Sequence, residues 1–138
     1  MKRFGVVSVL AVMLAGPGPA LAEAAVVSGQ SNGIPYATGG VGLEAREALR
    51  AKEKDFNLMV VLSLKDGHYL GGGKVVVRNA RGKSVLEVEA QGPWVLAKLA
   101  PGKYVVQATL GGTTRSKHVT VAKAGIKRVH LTWDHDPS

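Results

Sequence analysis

The chain has 138 residues, 18 Lys and Arg against 10 Asp and Glu (formal net charge +8), and no cysteine. That length suits one domain with a real core, and the absence of thiols excludes disulfides, thiolate catalysis and cysteine metal sites. The positive charge favours acidic partners, although it is dispersed along the chain as on solvated strand faces and not gathered into one block.

Lys2 and Arg3 form a basic start, residues 4–15 an apolar run, and Gly16-Pro17-Gly18-Pro19 a helix break before Ala20-Leu21-Ala22. A charged start, a short apolar run and a small-x-small site predict a cleaved Sec-type signal peptide over 1–22. The run falls short of the roughly 20 apolar residues needed to cross a bilayer, and no cysteine follows the site to carry a lipid. The expected mature chain starts at Glu23, is not membrane-spanning, and belongs in the periplasm or outside the cell. Nucleic acid is not an expected partner there.

Residues 23–36 are mostly small and polar and read as an irregular or weakly paired arm. A glycine-rich loop, Ala37-Thr38-Gly39-Gly40-Val41-Gly42, follows, so that 23–42 precede the first regular element. A helix is predicted over 43–54. Val41, Ala45, Ala48, Leu49 and Lys52 fall near one stripe, with Glu44, Arg46, Glu47, Arg50 and Glu53 elsewhere. Its thin apolar side suits a cap on the end or edge of a sheet.

From Phe56 onward the pattern is β. Phe56, Leu58, Val60, Leu62 and Leu64 alternate, and Met59 and Val61 add an apolar second face, so this strand is expected to be buried on both sides. Strands are predicted over 74–79, 84–90 (Glu87 and Glu89 out, Val88 and Ala90 in), 94–99, 103–110, 115–121 and 127–133. The last has Val129, Leu131 and Trp133 on one face and Arg128, His130 and Thr132 on the other. Pro101-Gly102 is expected to form a tight type II turn between the 94–99 and 103–110 strands. Seven short strands with turn residues between them predict an all-β fold over 56–134. It is a seven-stranded antiparallel β-sandwich with one short N-terminal capping helix and a tail at 135–138.

The strand Val75-Val76-Val77, the turn Asn79-Ala80-Arg81-Gly82-Lys83 and, above all, Ala97-Lys98-Leu99-Ala100-Pro101-Gly102-Lys103-Tyr104-Val105-Val106 resemble the carboxypeptidase regulatory-like domain. The string from Tyr36 through Gly92-Pro93-Trp94 is similar to short exported proteobacterial proteins that carry only this domain. The resemblance implies a transthyretin-like (prealbumin-like) sandwich and a binding or accessory role, and says almost nothing of activity. Hydroxyisourate hydrolases share that shape, but they use paired histidines, an arginine and a C-terminal Tyr-Arg-Gly-Ser tail. This chain ends Trp133-Asp134-His135-Asp136-Pro137-Ser138, so the activity does not carry over.

No Gly-x-Ser-x-Gly elbow is present, and Glu87 and Glu89 share a strand face beside lysines as surface residues do. The sequence therefore predicts a non-catalytic chain without a cofactor. Gly40 and Gly42, ahead of a helix, form either an anion-holding loop or a plain arm-to-helix joint, and no Lys-Ser/Thr follows them as a phosphate loop requires. Tyr69 and Trp94 lie near turns, where binding surfaces gather; Trp94 is either an anchor for a partner or a lid on the core. His68 and His118 read as surface residues. Imidazoles and carboxylates at His130, Asp134 and His135 form a candidate zinc or copper site, although the terminal tail offers no rigid geometry. The expected function is an exported binding or accessory module for a protein or an anionic envelope component; the alternative is a periplasmic metal-handling protein.

Overall fold

The computed structural model describes residues 26–137; the segment 1–22 read as a signal peptide lies outside the described residues. The seven expected strands occur as β3 (Leu58–Leu64), β4 (Lys74–Asn79), β5 (Ser84–Glu89), β6 (Trp94–Ala97), β7 (Gly102–Leu110), β8 (Thr113–Val121) and β9 (Lys127–Trp133). Two more precede them, β1 (Val26–Ser31) and β2 (Ile34–Gly39), which makes nine among the described residues. Helix α1 (Leu43–Ala51) is three residues shorter than expected, and a single 3₁₀ turn (Glu53–Asp55) takes up the remainder.

Residues 26–39, which take in the described part of the arm and half of the glycine-rich loop, thus form a hairpin. Its turn is Asn32-Gly33, with φ of 53° and 80°. Two successive positive φ values define a type I′ turn, whose twist matches that of paired strands. Asn-Gly is the commonest sequence for it, so the signal was present at a place where the small polar flanks masked the strands.

The strands form a five-stranded sheet, β1-β2-β6-β3-β9, and a four-stranded sheet, β5-β4-β7-β8. All pairs are antiparallel except β3 with β9, which run parallel with Leu58 beside Lys127 and Leu64 beside Trp133. The expectation of a wholly antiparallel seven-stranded sandwich is corrected on both counts. Alternation tells which side chains face a core, but not the direction of the neighbouring strand.

The Pro101-Gly102 segment is also not a hairpin turn, because β6 and β7 belong to different sheets. Gly102 has φ 157°, far from the value near +80° of a type II turn. The crossing is held from both sides. The Tyr104 hydroxyl donates to the Ala100 carbonyl at 2.6 Å, in the manner of a tyrosine corner. The buried Asn57 side chain donates to the Leu99 carbonyl at 2.7 Å and accepts from its N–H at 2.8 Å.

The main core lies between the sheets and includes Leu58, Val60, Leu62, Val75, Val77, Leu86, Val106, Leu131 and Trp133. A second, smaller core of Ala37, Leu49, Met59, Val61, Trp94 and Leu96 lies on the other side of the five-stranded sheet, beneath α1. β3 serves both, even-numbered residues inward and Met59 and Val61 toward the helix, as its double apolar pattern predicts. Only Ala45 and Leu49 of α1 are buried; Val41, Ala48 and Lys52, placed on the same stripe from the sequence, are exposed.

Side chains close both open sides of the sandwich. At the β1/β5 side the Glu87 N–H donates to the Ser31 hydroxyl at 3.1 Å. At the β8/β9 side Arg115 donates to the Thr132 carbonyl at 3.1 Å, and the Trp133 indole to the Thr113 carbonyl at 3.2 Å. Among the described residues no helix is long and apolar enough to cross a membrane.

Candidate functional site

The register of the five-stranded sheet assembles the site. On the face turned away from the sandwich core, Trp94 of β6 stands opposite Val61 of β3, which stands opposite His130 of β9. Leu96, Met59 and Arg128 form the next row. Helix α1 covers the β2/β6/β3 side of this face through Leu49, leaving the β9 side open. The result is a groove of about 380 Å³ whose floor is Met59 and Val61 and whose walls are Arg50, Glu53, Tyr69, Trp94, Arg128 and His130.

The segment that carries Tyr69 bridges to Ser63 of β3, which brings Tyr69 beside Trp94. The two rings meet edge to face, with centroids 6.2 Å apart and planes at 87°, a favoured aromatic geometry. Each ring also carries a guanidinium. Arg46 lies 4.9 Å from the centre of Tyr69, and Arg50 lies 5.3 Å from the centre of Trp94, both within cation–π range. Arg46 and Arg50 are one helical turn apart, so a single face of α1 supplies both cations.

Trp94 is 2% exposed and Tyr69 45%. Trp94 is thus a lid on the second core, and its ring also lines the groove. Its indole N–H is buried and has no acceptor among the described residues, an unmet donor of a kind that proteins rarely retain. Across the groove Arg128 is paired with Glu53 at 2.6 Å. Arg50 and His130 have no acidic partner among the described residues.

Gly40 and Gly42 take different roles. Gly40 is buried, its carbonyl accepts from the Arg46 guanidinium at 3.0 Å, and a Cβ there would come within 3.3 Å of Trp94. It is a close-packing position behind the indole. Gly42 is exposed and starts α1 without a side-chain cap. Between and after them Val41 and Leu43 stand in solvent, 65% and 62% exposed.

His130, Asp134 and His135 are not gathered. His130 lines the groove, whereas Asp134 lies past the end of β9, paired with Lys65 at 2.6 Å. The Lys65 ammonium holds the Asp134 carboxyl below its ordinary range. Among the described residues no three His, Cys, Asp or Glu side chains are placed to hold a metal ion. His68 is exposed and pairs with Asp66 at 2.9 Å.

Residue type and position mark the two aromatics and His130 as site candidates but give no such sign for Arg46, Arg50, Glu53 and Arg128. The helical spacing of 46 and 50 was legible. Their meeting with residues 69 and 94 depends on the tertiary fold. No protein-family model matches the chain, and no curated protein matches it.

Proposed function

We propose that the chain is an exported, non-catalytic binding or accessory module. In this reading it contacts a protein or an anionic envelope component through the outer face of the five-stranded sheet beside α1. The observation that carries the reading is the arrangement of Tyr69 and Trp94 under Arg46 and Arg50 at the rim of an open groove. Aromatics and arginines are the side chains enriched where partners bind most strongly. The signal-like 1–22 segment and the basic excess support export and an acidic partner. Leu99-Ala100-Pro101-Gly102-Lys103-Tyr104 supports membership of the carboxypeptidase regulatory-like, transthyretin-like class, in which the two-sheet body serves as a scaffold for recognition.

Metal handling through His130, Asp134 and His135 is the competing reading, and the engagement of Asp134 by Lys65 counts against it. Native mass spectrometry of the protein taken without chelators from its host's periplasm separates the two. The expected result is the mass of the chain from Glu23, alone or with a stoichiometric protein partner that a Tyr69→Ser variant fails to retain. A stoichiometric metal adduct overturns the binding-module reading in favour of metal handling, and a partner retained by Tyr69→Ser moves the recognition surface elsewhere.

A further inference from the structure

We infer that the groove between α1 and the five-stranded sheet binds a small organic oxyanion, a carboxylate or phosphate group carried on a planar body. The inference rests on the reading of this face as the recognition surface and names its ligand class.

Three features select that chemistry. First, the guanidiniums of Arg46 and Arg50 already occupy positions over the two aromatic rings, where a cationic ligand would otherwise sit, so a cation meets repulsion. Second, the donors divide unevenly. Arg46 is engaged with the Gly40 carbonyl and Arg128 with Glu53, while Arg50 and His130 keep donors without acidic partners among the described residues. A guanidinium fork matches the paired oxygens of a carboxylate or phosphate. Third, Tyr69, 45% exposed at the rim, offers a ring against which a planar body can pack, and the groove's volume of about 380 Å³ suits a small molecule. The Trp94 N–H is buried and lacks an acceptor among the described residues, and with Arg50 over its ring the indole reports on a charge bound in the groove. Arg50 is exposed and lies over the indole, so its side chain can swing toward the ligand with little cost to the helix.

The test follows the two indole N–H resonances of the purified mature chain. Trp133, tied to the Thr113 carbonyl, is an internal reference. Benzoate and phenyl phosphate are the probes. Inorganic phosphate supplies the charge alone, and benzylamine supplies the ring with the opposite charge. The expected result is a saturable shift of the Trp94 resonance with one or both organic anions and no comparable shift with the other two. Arg50→Gln should weaken the response by about tenfold, as loss of a charge-assisted contact does, while Lys65→Gln leaves it unchanged. Whichever of benzoate and phenyl phosphate binds more tightly assigns the head group.

Saturation by inorganic phosphate alone, an equal response to benzylamine, or indifference to Arg50→Gln overturns the assignment. An unmoved Trp94 resonance does the same. If Tyr69→Ser still abolishes partner retention, the face is then a protein-binding surface and only the ligand class fails. If Tyr69→Ser has no effect either, the recognition reading fails with it.

Discussion

Asn57 shows how much one polar side chain can decide. It is 2% exposed and satisfies both the N–H and the carbonyl of Leu99 at the point where the chain leaves one sheet for the other. Asn57→Ala would strand both groups in the interior, and we expect a loss of about 3 kcal/mol in urea unfolding. Asn57→Asp should rescue little, since a carboxylate cannot donate to the Leu99 carbonyl. Tyr104, on the far side of the same crossing, yields a pH prediction. Burial pushes its phenol above the usual 10.0, so the folded state favours the protonated ring. That contribution is fully present below the unfolded value and is lost as pH rises through the raised one. Stability should therefore fall on the alkaline side of about pH 10. Tyr104→Phe should show lower stability at neutral pH and a weaker alkaline fall, both readable from thermal melts across pH.

At the scale of elements, the β1–β2 hairpin and α1 are the two additions that build the site. β2 is fixed between β1 and β6 and carries Ala37 and Thr38 at 0% exposure, whereas β1 is an edge. Gly33→Ala places a Cβ at φ 80°, where an L-residue costs about 1–2 kcal/mol. The expected outcome is loss of hydrogen-exchange protection over Val26–Ser31, with that of Ala37 and Thr38 retained. Equal loss in both strands would show that the hairpin opens as one unit. Helix α1 buries only two residues, so it is held by Leu49 in the second core and positioned, with its 3₁₀ extension, by the Arg128–Glu53 pair.

For the molecule as a whole, β9 joins the main core, the parallel pairing with β3 and the closure of the sandwich. Trp133 at its end is among the largest fully buried side chains. Truncation after Thr132 would therefore remove a core residue along with the acidic tail. We expect it to cost on the scale of a buried Trp→Ala change, about 3–5 kcal/mol, seen as a large fall in the unfolding midpoint. Any metal test by truncation would be confounded by that loss, so Asp134→Asn with His135→Gln is the informative variant.

The residues alone determined the β content, the seven strands from β3 onward, the inward and outward faces of β3, β5 and β9, and a short helix with a thin apolar side. These depend on local periodicity and turn residues, which neighbouring positions carry by themselves. Local periodicity predicts an arm where β1 and β2 lie, because their small and polar residues give weak alternation even with an Asn-Gly turn between them. Tertiary structure decided that β3 and β9 run parallel, that Pro101-Gly102 crosses between sheets, and that Trp94, Tyr69, Arg46 and Arg50 share one place. Each of these is a contact between residues distant along the chain. Such contacts depend on how whole sheets pack and which edges meet, and no spacing within one segment encodes them.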